Sequence, residues 1–68
     1  MQKISSVIKM ENGMVMVFDA DGEQIPEYQG PYNMVKERIL RDASLNAQFS
    51  DGWKKSGGGL NIISREIW

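Results

Sequence analysis

The chain has 68 residues, of which 41% are hydrophobic and 25% are charged, and it contains neither cysteine nor histidine. This composition is that of a globular domain rather than a disordered segment. The two missing residue types exclude disulfides, zinc fingers and every catalytic arrangement built on a thiolate or an imidazole. The formal net charge of −1 provides no overall attraction to nucleic acid or to an anionic membrane.

The length predicts a single domain, 1–68, whose core is so small that its stability is marginal. No stretch approaches the ~20 apolar residues of a membrane span, and the first residues lack the pattern of a signal peptide. Secreted domains of this size are usually rich in disulfides. We therefore expect a cytoplasmic protein that has no membrane contact, no cofactor and no bound metal.

Two strands are predicted first, at residues 3–10 and 14–19, with Asn12-Gly13 between them in a type I′ hairpin turn. In the second strand, Val15 and Val17 alternate with other apolar residues, so both faces of the strand are apolar. Such a strand is central in its sheet. We expect a helix to cover one of its faces, and a partner or a second layer to cover the other.

A turn at residues 19–22 and a third strand at 23–28 follow, and Pro26 predicts either that this strand lies at an edge of the sheet or that the chain bends there. Apolar residues at helical spacing, from Tyr32 through Val35 and Ile39 to Ala43, predict a helix at 32–43. Two more strands, 47–55 and 60–68, flank a glycine-rich loop. The fold class is α+β, a small antiparallel sheet in the order β-β-β-α-β-β with one helix on one face. The predicted core consists of Ile8, Val15, Val17, Tyr28, Val35, Ile39 and Ile62.

Two segments have the residue types of ligand sites. Around Asp19, the acidic residues and Gly22 do not have the spacing of a calcium loop, and they predict a plain turn. The segment from Trp53 onward combines an aromatic ring, two lysines and successive glycine N–H groups, which suit stacking on a base and binding of an anion. The residues that would make these contacts are Trp53, Lys54, Lys55, Gly57, Gly58 and Gly59. A flexible hairpin loop and a loop tip that contacts a protein partner are the other interpretations of the same residues.

Residues 4–49 resemble the KTSC domain, a small family sometimes appended to lysyl-tRNA synthetases. The similarity comprises an apolar strand ending in Phe18 with Gly22 nearby, an aromatic and a proline before a helix, and Ala43, Ser44 and Phe49 after it. The glycine and asparagine expected around the final aromatic are missing. The resemblance implies a small α+β module for interaction or association with nucleic acid, and it carries over no catalytic residue.

Self-association is expected because a single helix covers only one face of so small a sheet. The C-terminal strand exposes apolar residues and an edge, so we predict a two-fold homodimer with contacts at Ile63, Ile67 and Trp68. The predicted function is a non-enzymatic module that binds and regulates an unidentified protein. The small size and composition are typical of phage or prophage modulators of a host protein. The alternative is a binder of nucleotides or single-stranded nucleic acid that uses the Trp53–lysine–glycine segment.

Overall fold

Strands β1 (Ile4–Met10) and β2 (Met14–Phe18) form the hairpin that the sequence predicts, in a computed structural model that describes residues 3–53 and 61–68. The predicted type I′ turn is wrong. Of the turn residues only Gly13 has a positive φ, 87°, and its N–H donates to the carbonyl oxygen of Met10 at 3.0 Å. A type I′ turn needs two consecutive positive φ values. Instead, the side-chain oxygen of Asn12 accepts a hydrogen bond from the N–H of Met14 at 3.0 Å, which stabilises the turn between the two strands.

The predicted third strand at 23–28 is wrong. Gln24 forms one isolated bridge with Phe18, and residues Pro26–Tyr28 form a short 3₁₀ helix. Proline has no N–H for a ladder but suits the first position of a helical turn, so pairing ends where Pro26 begins. The strand β3 (Gly30–Pro31) follows, and it pairs antiparallel with the start of β2.

The helix α1 spans Tyr32–Asp42, which confirms the predicted helix to within one residue. Val35 and Ile39, one turn apart, are its buried residues. The helix ends at Ala43, whose N–H still bonds to the carbonyl of Ile39 although its backbone is extended. Arg41 in the last turn complements the negative end of the helix dipole.

The five strands form a mixed sheet in the order β3-β2-β1-β4-β5, not the antiparallel sheet that was predicted. β4 (Ala43–Trp53) runs parallel to β1, and β5 (Asn61–Ile63) runs antiparallel to β4. Since β3 and β4 are both parallel to β1, α1 is the crossover between two parallel strands on opposite sides of the β1–β2 hairpin. The helix therefore lies over that hairpin and packs on β1 and β2.

Strand β4 contains two irregularities. Near its start, β1 advances from Ile4 to Ser6 while β4 advances from Ala43 to Gln48, so three extra residues of β4 bulge out between the predicted helix and the predicted strand at 47–55. Near its end, Gly52 has a φ of 77° where two residues of β4 oppose one of β1. The last strand is shorter than the predicted 60–68, because residues 65–67 form a turn closed by N–H bonds to the Ser64 carbonyl.

The core lies between the sheet and α1. Four predicted core residues, Val15, Val17, Val35 and Ile39, are at most 5% exposed, which confirms them. Tyr28 and Ile8 are half-buried, and Ile62 is wrong because it is 66% exposed on the face of the sheet away from α1. The buried residues that the prediction missed are Ile4, Val7, Ile25, Phe49 and Trp68.

Candidate functional site

One face of the sheet is packed by α1, and the strand register shows which side chains lie on the other. Ile8 lies opposite Met16 on β2 and beside Ser50 on β4, and Ser50 lies opposite Ile62 on β5. Because alternate residues of a strand share a face, these four fix the positions on that side. Pro31, opposite Met14, lies on the same side. Of the positions that the register places there, we call the following nine the open face: Ser6, Ile8, Met10, Met14, Met16, Phe18, Gln48, Ser50 and Ile62.

The open face is apolar and partly accessible to solvent. Met14 is 38% exposed and Ile62 is 66% exposed, whereas the side chains of Ile8, Met16 and Phe18 are half-buried. Its buried polar group is satisfied, since the Ser50 hydroxyl donates to the carbonyl of Val7 at 3.2 Å. None of its nine positions carries a charge, although 25% of the chain is charged. The arrangement is suited to apolar contact rather than to binding an anion or moving a proton.

The charged residues of the sheet lie on the side packed by α1. The Lys9 ammonium lies 3.9 Å from the centre of the Tyr32 ring, and the Lys36 ammonium lies 5.2 Å from it. Both distances are within the range of a cation–π interaction. Lys9 also lies beside Asp51 in the parallel register. Two ammonium groups therefore lie at the Tyr32 ring in the first turn of the helix, with Asp51 on the strand beside Lys9.

The predicted nucleotide site falls mostly outside the described residues. Trp53 is the last residue of β4 and pairs with Met10. The preceding residue of β1, Lys9, pairs with Asp51. The remaining members of that site, Lys54, Lys55, Gly57, Gly58 and Gly59, belong to residues 54–60, which the structure does not describe. The site stays a prediction.

Trp68 is not the exposed dimer contact that the sequence suggests. Its side chain is 3% exposed, its ring packs edge-on against Tyr32 and Phe49 at centroid distances of 5.0 and 5.1 Å, and its indole N–H donates to the Ser50 carbonyl at 3.1 Å. The Tyr32 hydroxyl donates to the backbone oxygen of Trp68. The turn at residues 65–67 folds the chain back, so the Trp68 ring is buried against residues of its own chain. Of the other predicted contacts, Ile63 is half-buried and Ile67 is 75% exposed.

The bulge in β4 presents an apolar side chain that sequence reasoning missed. Leu45 is 94% exposed. The base of the bulge is held by the Ser44 hydroxyl, which donates to the Ile4 carbonyl at 2.9 Å, and by Arg65, which donates to the Ser44 carbonyl at 2.6 Å. No pattern signals this feature, because a bulge is visible only in the register with β1. A single exposed leucine is ordinary on a protein surface and does not define a site.

The acidic turn after β2 is a turn, as predicted. One carboxylate oxygen of Asp19 accepts the backbone N–H groups of Asp21 and Glu23, both at 2.9 Å. Over residues 3–53 and 61–68, no three carboxylates are grouped as they would need to be to hold a metal ion. In the same ranges, no helix is long and apolar enough to cross a membrane.

A polar cluster joins the 3₁₀ helix to α1. The Tyr28 hydroxyl donates to Asp42 at 2.7 Å, and Arg41 donates to the same carboxylate at 3.1 Å. The Arg41 guanidinium, followed by the Tyr28 hydroxyl, holds the pKa of Asp42 below its usual range. The hydrogen bond to Asp42 in turn raises the pKa of Tyr28. Arg38 donates to the Glu27 carbonyl at 3.0 Å. These hydrogen bonds hold the 3₁₀ helix against α1. The Asp42 carboxylate is exposed and is fully ionised at neutral pH.

Comparisons with protein-family models, with curated proteins and with solved structures find no match for this chain. The resemblance of residues 4–49 to the KTSC domain therefore stays a prediction.

Proposed function

We propose that the chain is a non-enzymatic, regulatory protein-binding module whose contact surface is the open face. The observation that carries this proposal is the absence of charge from all nine positions of that face. At the chain's average of 25% charged residues, nine positions would carry about two charges. Charged residues are depleted in the centre of protein–protein interfaces, where methionine and aromatic residues are enriched.

The side chains of the open face favour binding over catalysis. Its polar members, Ser6, Gln48 and Ser50, have no histidine or carboxylate beside them on that face to act as a general base. The apolar members form a patch on β2 and β1, and Ser50 of β4 lies between this patch and Ile62 on β5. A patch of this kind loses water when another protein covers it, and the free energy gained is roughly 25 cal/mol per Å² of apolar surface.

Capture of a partner by three matched proteins tests the proposal. The bait proteins are the unchanged chain, Met16→Lys on the open face and Met34→Lys on α1, where Met34 is 74% exposed and away from that face. Both variants add the same charge at the same residue type. We expect a protein from native-host extract to be retained by the unchanged chain and by Met34→Lys, and lost from Met16→Lys. Retention by all three baits would refute the open face as the contact surface.

The alternative function is binding of a nucleotide or of single-stranded nucleic acid. It is favoured by the Lys9 and Lys36 ammonium groups, which both lie over the Tyr32 ring. Lys9 is next to Met10, the residue of β1 that pairs with Trp53 at the end of β4. Titration of the chain with nucleotides and short single strands, followed by tryptophan fluorescence, measures it. This alternative requires a response that weakens with added salt and disappears in Lys54→Glu/Lys55→Glu.

A further inference from the structure

We propose that Asn12 is a site of spontaneous deamidation, at which its side-chain amide is lost as ammonia and the turn between β1 and β2 becomes an aspartate or isoaspartate turn. The reactants are two adjacent residues of that turn, Asn12 and Gly13, together with water. The proposal does not depend on the open face. It stands on the glycine that follows Asn12, on the hydrogen bonds of both reacting groups, and on the attachment of the turn to α1.

Asparagine is a thermolabile residue type, and its loss here needs no group beyond the chain and water. The backbone nitrogen of Gly13 gives up its proton and attacks the side-chain carbonyl carbon of Asn12. A new C–N bond closes a cyclic imide while the bond to the side-chain amide nitrogen breaks, and that nitrogen takes up a proton and leaves as ammonia. Water then opens the imide at either carbonyl, which gives aspartate or isoaspartate. Each product adds one negative charge to the formal net charge of −1.

Asn12 differs from the other asparagines in the residue that follows it. Gly13 has no side chain to shield its backbone nitrogen, and an added Cβ there would meet no atom within 4 Å, so the approach is open. Asn12 is itself exposed. Asn46 is also exposed, but Ala47 follows it. The two asparagines therefore differ in the shielding of the attacking nitrogen, and Asn46 is an internal control.

The folded turn engages both reacting groups in hydrogen bonds. The Gly13 N–H donates to the Met10 carbonyl at 3.0 Å, and the side-chain oxygen of Asn12 accepts the N–H of Met14 at 3.0 Å. The nitrogen must leave Met10 before it attacks, because a peptide nitrogen whose N–H donates to a carbonyl keeps its proton. The rate in the folded chain is therefore the rate of the open turn multiplied by the fraction of time that the turn is open.

The turn is also the point at which the hairpin is attached to the helix. The Tyr32 N–H, the first of α1, donates to the Gly13 carbonyl at 2.9 Å, and Pro31 of β3 pairs with Met14. Isoaspartate places one additional carbon in the backbone between residues 12 and 13, so Gly13 shifts relative to Met10 and Tyr32. Aspartate keeps the normal backbone and an oxygen that accepts the Met14 N–H. Isoaspartate should therefore loosen the attachment, whereas aspartate preserves it.

Incubation of the full 68-residue chain at neutral and at mildly alkaline pH, followed by peptide mapping with mass spectrometry, tests the proposal. We expect the mass increase of an amide converted to a carboxyl group at Asn12, faster at the higher pH, and none at Asn46. Enzymatic methylation of isoaspartate should label the same peptide. A synthetic peptide of residues 9–15 should deamidate faster than the folded chain, and Gly13→Ala should slow that peptide roughly tenfold or more.

The opposite results are equally clear. An unmodified Asn12 after many half-lives of the peptide would overturn it as a site in the folded protein. Equal conversion at Asn12 and Asn46 would overturn the role of Gly13, and equal rates in the folded chain and the peptide would overturn control by the turn.

A chemically synthesised chain with isoaspartate at position 12 tests the structural consequence. Its Tm should be lower than that of the unchanged chain by at least roughly 4 °C, the shift that loss of one net hydrogen bond gives in a domain of this size. Asn12→Asp carries the same charge on a normal backbone, so its Tm should lie closer to that of the unchanged chain. Equal Tm values for these two forms would overturn the loosened attachment.

Discussion

Trp68 closes the part of the core that α1 does not reach. The helix packs over β1 and β2, whereas the Trp68 ring covers Phe49 on β4 and the side of Tyr32 on the first turn of the helix. Its indole N–H also satisfies the carbonyl of Ser50. Trp68 thus extends the core onto β4, beyond the hairpin that the helix covers.

Replacing Trp68 should therefore weaken the fold of the monomer. We expect Trp68→Ala to lower the free energy of unfolding by about 3–5 kcal/mol, the usual cost of removing a buried large aromatic side chain. Trp68→Phe should cost less, because the ring contacts persist while the hydrogen bond to Ser50 is lost. Urea unfolding measures both. Met34→Ala, at a position 74% exposed on α1, serves as the control and should change stability by no more than about 0.5 kcal/mol. Equal effects at the two positions would contradict the role of Trp68.

The hydrogen bonds of Asp42 with Arg41 and with Tyr28 should make stability depend on pH at both ends of the range. The pKa of Asp42 is lowered by folding, so its contribution is present above the unfolded value of about 4 and is lost as the pH falls through the folded pKa. The pKa of Tyr28 is raised by folding, so its contribution is present below about 10 and is lost as the pH rises through the folded pKa. Tyr28→Phe should lower Tm between these limits and converge with the unchanged chain outside them. A constant difference in Tm from acid to alkaline pH would contradict this linkage.

At the scale of elements, β4 is shaped by a bulge that needs glycine. Gly52 has a φ of 77°, and a Cβ added there would lie 3.2 Å from the side-chain nitrogen of Asn61 on β5. Gly13 in the hairpin has a φ of 87° with no atom within 4 Å of an added Cβ. The two positions share the backbone cost of a side chain at positive φ and differ in the contact with a neighbouring strand.

We expect Gly13→Ala to cost roughly 1–2 kcal/mol, which is the steric penalty of the left-handed region alone. Gly52→Ala should cost more than Gly13→Ala, since the side chain of Asn61 must also move. Chemical denaturation of the two variants side by side measures the difference. Equal costs would mean that Asn61 adjusts freely and that β5 is not held by this contact.

The elements with strong local signals could be predicted from the sequence, and those set by distant contacts could not. Asn12-Gly13 predicts the hairpin, and the spacing of Val35 and Ile39 predicts α1 to within one residue. The parallel pairing of β1 with β4 joins residues about 40 apart, and no local pattern records it. Ile4, Phe49 and Trp68 were missed as core residues because their burial depends on that pairing and on the turn that returns Trp68 to the sheet.

The open face was not predicted as a site. Apolar residues on both faces of β2 led to the expectation that something other than the helix covers its second face, and the register now places Ile8, Met10 and Ile62 on that face as well. Their grouping could not be predicted, because Ile62 reaches the face only through β5 pairing with β4. The predicted segment at Lys54, Lys55 and Gly57–59 lies outside the described residues.

On the scale of the whole molecule, the sheet has two different sides. The side under α1 contains the core and also carries Lys9 and Asp51, whereas none of the nine positions of the open face is charged. A domain of 68 residues gains little stability from leaving apolar side chains in water, and this is the face that we propose a partner covers.

The homodimer stays a prediction, and burial of Trp68 leaves Ile63 and Ile67 as its proposed contacts. Light scattering at high micromolar concentration measures it. A mass near twice 7.7 kDa that returns to 7.7 kDa in Ile67→Lys is the expected result for a dimer through these residues. A mass of 7.7 kDa for the unchanged chain at the same concentration would exclude it.

Site-specific photo-crosslinking in native-host cells tests the central claim most directly. The photoreactive residue is placed at Met14, which is 38% exposed on the open face, and in a matched protein at Met34, which is 74% exposed on α1. We expect a discrete higher-mass adduct containing a second protein from position 14 and none from position 34. Adducts of equal yield from the two positions, or an adduct from position 34 alone, would contradict the open face as the surface through which this protein acts.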